Sequence, residues 1–240
     1  MSELLFYKNI IAIDKDKHRA LKIGTLKDFS FTRGTNSVPL ATVEFFEAAK
    51  EFPIVFAGKT GGAPVPVALM GLRKDENLCL RDDSRWEGRY VPAFIRRYPF
   101  VLAATGDDQL MVCVDEGHPV VGAKDGEALF TEAGEPTPFL NGAIAFMRDF
   151  QAETQRTREF TKRIDELDLL TEVAARAELK SGGSYQLGGF SVINEAKYRA
   201  LDKEVVDELF RKGWLALIDA HLLSLGNLAR LVDRLAKSKV

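Results

Sequence analysis

The most distinctive chemical groups of the chain lie in residues 82–100, where arginines are interspersed with aromatic residues. We call this segment the Arg/aromatic stretch. The members that we single out are Arg85, Trp86, Arg89, Tyr90, Arg96, Arg97 and Tyr98. Guanidinium groups form paired hydrogen bonds with carboxylates, and they also stack on aromatic rings. We therefore predict that this stretch is a recognition surface for a carboxylate ligand, a peptide or a protein partner. The competing interpretation is a structural corner, in which the arginines cap carbonyl groups or pair with acids.

A second candidate is the pair Glu116 and His118, which are two residues apart at the end of an apolar run. Side chains two apart on a strand face the same side, so this pair is an alternative pocket for acid–base chemistry or metal binding. An iron site of two histidines and one carboxylate needs a further histidine, and the chain has only three. We predict surface placement for His118, and neither a metal ion nor a cofactor.

Other catalytic patterns are missing from the sequence. Gly58-Lys59-Thr60 lacks the glycine spacing of a phosphate loop, and neither GxGxxG nor GxSxG occurs. We therefore assign no catalytic residue, and an enzyme is the less favoured interpretation. Cys79 and Cys113 belong to separate apolar segments outside any CxxC motif. We expect two reduced, buried thiols, with a single disulfide as the alternative.

Composition excludes some classes of protein. The chain has 240 residues, a formal net charge of −2 and 46% hydrophobic residues, which is typical of a globular protein. This charge argues against a nucleic-acid partner, which usually requires a basic excess. We find no unbroken apolar run near the ~20 residues of a membrane span, so we expect no transmembrane segment. The N-terminus lacks the pattern of a secretory signal, so we expect a cytoplasmic protein that reaches a surface only by a signal-independent route.

The elements that must position these groups change in character at Thr137. Before it, short apolar runs alternate with turns, which favours a mixed or antiparallel sheet with one of its strands over Leu78–Leu80. After it, the periodicity predicts one long amphipathic helix over 138–168, and further helices up to a final one over Trp214–Lys237. Between these helices we expect a short strand over Leu187–Ile193 that begins at Gly188-Gly189. The polar middle of the long helix, 151–158, should project from the body or lie under a partner. Strands followed by helices indicate an α+β fold.

We expect a single domain over residues 1–240. A division into a strand-rich part, 1–136, and a helix-rich part, 137–240, is the alternative. The C-terminal helices also offer a surface through which a homo-oligomer could form.

Several segments in a fixed order resemble the SapC family. They are WEGRYVPAFIRRYPF, a long helix, GGFSVINEAKYRAL and a leucine-rich helix that contains HLLSL. The likeness covers nearly the whole chain, and the first and third segments are its most specific parts. A peptide-transporter permease that shares the name is unrelated, since it is a transmembrane protein.

The resemblance implies a soluble accessory or binding protein that is linked to surface-layer or outer-membrane uptake systems. It supplies no agreed catalytic residues, so none is carried over. Two alternatives stay open. One is an enzyme or enzyme-partner domain that acts on a peptide or an amino-acid-like substrate, and the other is a structural module that forms oligomers.

Overall fold

The protein folds into antiparallel sheets that are packed with helices. A computed structural model describes residues 5–60, 62–104, 110–179 and 183–237. Within these residues the strands form three sheets, which contain five, three and two strands. The strands are β1 (Ile10–Ala12), β2 (Lys22–Ile23), β3 (Ser37–Pro39), β4 (Ile54–Thr60), β5 (Ala63–Leu69), β6 (Phe100–Ala104), β7 (Leu110–Asp115), β8 (Glu127–Ala128), β9 (Leu170–Leu179) and β10 (Gly183–Ile193). The α+β prediction is confirmed.

The helices are concentrated in the second half of the chain, as expected. They are α1 (Phe45–Ala48), α2 (Ala93–Arg96), α3 (Pro138–Glu166), α4 (Glu195–Arg199), α5 (Lys203–Arg211), α6 (Trp214–Ser224) and α7 (Leu228–Lys237). Short 3-10 turns precede α1 and join α6 to α7.

Helices cover both faces of the five-stranded sheet, whose order is β3-β5-β4-β10-β9. Side chains alternate between the faces along β4. Ile54 and Phe56 pack into a cluster that contains Ile218 of α6, whereas Val55 packs on the opposite face with Leu231 of α7. All five of these side chains are almost completely buried. The sheet is therefore the middle layer of three, and on the Val55 side α7 packs together with Leu72 and Leu78 of the loop that follows β5.

The sheet draws on more of the chain than the sequence indicated, because β9 and β10 both come from the last third. β9 was missed, since Leu170–Leu179 is rich in alanine, glutamate and arginine, which favour helices. Pairing along β10 overrides this preference. The two strands shift register between Leu187 and Phe190, where Gly189 has a φ of +82° that a side chain would disfavour. The glycine pair is therefore a bulge inside β10 and not its beginning.

Residues 78–80, which the sequence suggested as a strand, form a loop instead. The side chain of Asn77 donates to the hydroxyl of Thr32 at 2.9 Å and accepts the backbone N–H of Cys79 at 2.8 Å. The N–H of Leu78 also donates to the carbonyl of Met70 at 2.8 Å, and the carbonyl of Cys79 accepts the N–H of Glu87 at 2.7 Å. These backbone groups are thus satisfied although the segment has no partner strand.

The long helix α3 is confirmed, with Thr137 as its cap and Pro138 in its first turn. Its polar middle does not project from the body, because Thr157 is 4% exposed and accepts the backbone N–H of Thr42 at 2.8 Å. The Thr157 hydroxyl in turn donates to the carbonyl of Glu153 at 2.7 Å. Threonines whose hydroxyls are paired within the helix can be buried, which a count of polar residues does not reveal.

Replacing Thr157 with valine should lower the free energy of unfolding by about 1–3 kcal/mol, because the buried N–H of Thr42 would lose its acceptor. Thr157→Ser keeps the hydroxyl and should recover most of the loss. Urea denaturation of both variants tests this, and equal stability of the valine and serine variants would contradict it.

The final helix is broken, whereas the sequence predicted it as continuous. Buried polar side chains around the break bond to other elements. Ser224 accepts the backbone N–H of Ile54 at 2.9 Å, and the Asn227 amide donates to the carbonyl of Ala49 at 2.7 Å. One turn earlier, His221 accepts the backbone N–H of Ile193 at 3.1 Å. These three residues join the helical layer to the ends of β4, α1 and β10.

Among the described residues, one helical stretch, Trp214–Lys237, is long and apolar enough by length and composition to cross a membrane. Our search for an unbroken apolar run did not find it. A single such stretch is weak evidence, because core helices of soluble proteins pass the same test. Here Ile218, Leu231 and Leu235 are at most 1% exposed within the protein core.

Both cysteines are free and buried, as the preferred interpretation predicted. Burial raises the pKa of the Cys79 thiol to about 12, so it stays protonated at neutral pH.

Candidate functional site

Two aromatic residues of the Arg/aromatic stretch point into the protein. Trp86 is 8% exposed, packs against Phe29 and Phe52, and donates its indole N–H to the carbonyl of Tyr90 at 2.9 Å. Tyr98 is 5% exposed. Burial of large aromatic side chains stabilises a fold strongly, so these residues shape the corner of the chain.

Two buried carboxylates hold the tyrosine hydroxyls of this stretch. Tyr90 donates to Glu44 at 2.6 Å, and Tyr98 donates to Asp115 at 3.0 Å. Burial and the neighbouring carboxylate raise the pKa of both tyrosines. No local pattern in the sequence indicates a role for Glu44 or for Asp115, and Asp115 is fully buried.

Asp115 joins the beginning of the described chain to the centre of the fold. Its carboxylate accepts the backbone N–H groups of Lys8, Asn9 and Gly117 at 2.8–3.0 Å, besides the hydroxyl of Tyr98. Burial alone would raise the pKa of Asp115, but these donors outweigh it and lower the pKa below its ordinary value.

Arg97 lies among aromatic rings. Its guanidinium is 4.1 Å from the ring centre of Phe94, 5.4 Å from that of Phe150 and 5.8 Å from that of Tyr7. Its Nε has no hydrogen-bond partner among the described residues, and burial lowers its pKa. Cation–π contacts are thus the main described interactions of this side chain.

The other three arginines of the stretch are exposed. Arg85 donates to the neighbouring Asp83 at 2.6 Å, and Arg96 caps the carbonyl of Val91 at 2.9 Å. The Arg89 side chain forms no hydrogen bond and no ion pair within the described part of the chain. These are the contacts of a structural corner, and a binding role for the seven residues stays a prediction.

The structure does not pair Glu116 with His118. The strand β7 ends at Asp115, so the alternation that would place them on one face stops before them. Glu116 instead accepts from Nε2 of His18 at 3.1 Å, and His18 is 3% exposed. His118 is half-buried, accepts the backbone N–H of Val120 and contacts aromatic rings. Burial lowers its pKa.

A cleft of about 1200 Å³ lies beside the Arg/aromatic stretch. One wall is the outward face of α7, and the opposite wall is formed by the loop of residues 73–82 together with Arg33 and Glu87. The charged residues of the walls, seven cationic and five acidic, are Arg33, Arg73, Lys74, Asp75, Glu76, Arg81, Asp82, Glu87, Arg230, Asp233, Arg234 and Lys237.

Four guanidinium groups of this cleft form no ion pair within the described parts of the chain. Arg33 donates to the hydroxyl of Ser84 at 2.7 Å, and Arg230 donates to the carbonyl of Lys50 at 2.8 Å. Arg234 reaches the sulfur of Cys79 at 3.1 Å. The Arg81 side chain forms no hydrogen bond among the described residues.

These arginines can therefore accept carboxylates without breaking an existing ion pair. An Arg–carboxylate pair often has two parallel hydrogen bonds, which gives direction as well as affinity. Sequence reasoning missed the cleft because its walls come from stretches about 150 residues apart. The helical spacing of Arg230, Arg234 and Lys237 places them on one face, but the opposite wall has no such signal.

Comparisons with known proteins identify the family of the chain, but they do not identify an individual relative. No curated protein and no solved structure matches the chain. The model of the SapC family matches residues 13–231, which is most of its length. The chain therefore belongs to the SapC family.

Proposed function

We propose that this protein is a binding protein, and that it recognises carboxylate groups of a peptide or protein partner in the cleft between α7 and the loop of residues 73–82. The observation that carries the proposal is the set of four arginines in one cleft, held by neutral acceptors or by none. Unpaired guanidinium groups are costly to concentrate, and a bound carboxylate would relieve their repulsion.

The Arg/aromatic stretch supports this role by its position. Arg81 lines the cleft just before the stretch, and Asp82 and Glu87 line it within the stretch. The buried ring of Trp86 and the half-buried ring of Tyr90 hold this part of the chain in place. Rigid support reduces the entropy that is lost on binding. In keeping with the family resemblance, we propose an accessory role in surface-layer or outer-membrane uptake systems.

The proposal predicts that carboxylates of a peptide are needed for binding. A capped, fluorescently labelled hexapeptide of alternating serine and glutamate should bind at low salt, and the matching serine–glutamine peptide should bind at least tenfold more weakly. Fluorescence anisotropy measures both. Equal affinity for the two peptides would contradict the proposal, because glutamine differs from glutamate only in its charge and one donor group.

The cleft is tested by the double variant Arg33→Ala/Arg81→Ala. Of its two side chains only that of Arg33 forms a hydrogen bond among the described residues, to the hydroxyl of Ser84. We expect it to lose about tenfold in affinity for the serine–glutamate peptide, or ~1.4 kcal/mol. Arg148→Ala/Arg158→Ala removes the same charge from the exposed side of α3 and is the matched control. An equal loss in both double variants would indicate attraction to the net charge and not to this cleft.

A further inference from the structure

The cleft holds unpaired acids as well as unpaired arginines. Asp75, Asp82, Glu87 and Asp233 all line it, and none forms an ion pair within the described residues. Asp233 is the clearest case, because helical spacing would let it pair with Arg230 three residues before or with Lys237 four residues after. Neither pair forms, and Arg230 turns to the carbonyl of Lys50 instead.

This arrangement is unlike that of a site for a polyanion. Such a site gains nothing from carboxylates in its walls, since like charges repel the ligand and lower its affinity. Here one acid stands among three cations along one face of α7, in the order Arg230, Asp233, Arg234 and Lys237. At 1.5 Å per residue this face is about 10 Å long, which matches about three residues of an extended peptide.

We infer that the cleft selects a mixed-charge peptide segment, in which cationic side chains stand beside the carboxylates. The arginines bind the carboxylates of the segment, and Asp233 with Asp82 binds its ammonium or guanidinium groups. The inference rests on the proposed function and adds the sign pattern of the ligand. It makes the acids of the cleft determinants of specificity, because they weaken the binding of purely acidic segments.

The inference is tested with a capped lysine–glutamate hexapeptide, compared with the serine–glutamate peptide of the same length. If the arginines alone decided affinity, adding three lysines would weaken binding, because seven cationic residues line the cleft against five acidic ones. We expect the opposite, with the lysine–glutamate peptide binding about fivefold more tightly at low salt. Weaker binding of the lysine–glutamate peptide overturns the inference and leaves the proposed function intact.

The double variant Asp82→Asn/Asp233→Asn should reverse this preference, so that the serine–glutamate peptide binds more tightly. Glu204→Gln/Asp125→Asn neutralises two exposed acids outside the cleft lining and should keep the wild-type preference. A preference that survives in the first double variant overturns the inference. Failure of the serine–glutamate peptide to bind better than its glutamine counterpart overturns the proposed function, and the inference with it.

Discussion

Replacing Asp115 with alanine should destabilise the protein by roughly 3–5 kcal/mol, because it removes the acceptor of four hydrogen bonds at once. A buried donor that loses its partner costs about 1–3 kcal/mol. Water can reach Lys8 and Asn9 if the first strand detaches, which limits the total. The hydroxyl of Tyr98, which is 5% exposed, would stay without this acceptor inside the fold.

Urea denaturation gives the free energy of unfolding for this variant. Asp115→Asn keeps the shape but exchanges one acceptor oxygen for a donor, so its loss should be smaller and still exceed 1 kcal/mol. Asp125→Ala removes an exposed acid from the same part of the chain and should change stability by less than 0.5 kcal/mol. Similar stability of the Asp115 and Asp125 variants would show that the four bonds contribute little.

The Asp115 variants should also differ from the wild type in strong acid. The pKa of Asp115 is lower in the folded protein than in the unfolded chain, where it is about 3.9. Its contribution to stability is therefore complete above that value and is lost as the pH falls through the folded pKa. Asp115→Asn should remove this part of the acid sensitivity.

A second large effect is expected at His221, whose burial lowers the pKa to about 4. The unfolded histidine has a pKa near 6.5, so the unfolded chain takes up a proton at a pH where the folded protein does not. Stability is complete above pH 6.5 and falls as the pH drops towards 4. The full loss over this window is about 3 kcal/mol.

Two variants separate the charge of His221 from its hydrogen bond. His221→Leu cannot accept the N–H of Ile193 and should cost about 1–3 kcal/mol at neutral pH. His221→Gln supplies an acceptor that does not titrate, so stability between pH 6.5 and 4 should become much less dependent on pH. The lowered pKa of His118 contributes in the same direction and leaves a residual slope. An unchanged slope in His221→Gln would refute this assignment.

Local signals in the sequence were enough to predict the fold class and the beginning of α3. Thr137 and Pro138 predict where the helix begins, because helix capping depends only on residues that are neighbours in the chain. β9 and the break before α7 were missed because both depend on distant partners. β9 adopts an extended conformation because it pairs with β10. Asn227 lies at the end of the 3-10 turn that joins α6 to α7, and its amide donates to the carbonyl of Ala49, far away in the sequence.

The candidate site was predicted less well than the fold, and the reason is physical. The residues that look most distinctive in the sequence, such as Trp86 and Tyr98, are distinctive because they bury large rings around fixed hydrogen bonds. His221 and Ser224 of the HLLSL segment likewise bond to strands of the sheet. The cleft depends on single charges such as Arg81 and Asp233, and no spacing within the sequence relates them.

The order of strands in the large sheet has a consequence for synthesis of the chain. β4 pairs with β5 on one side, but its other edge stays unpaired until β10 has been made. The end of β4 and the beginning of β10 are separated by 122 residues. At about 5–20 residues per second, a ribosome takes roughly 6–24 s to make this stretch. Meanwhile the apolar edge of β4 is a template for pairing with another chain. The nascent chain therefore carries an aggregation hazard at β4 that the folded protein does not, and a truncation before β10 would make it permanent.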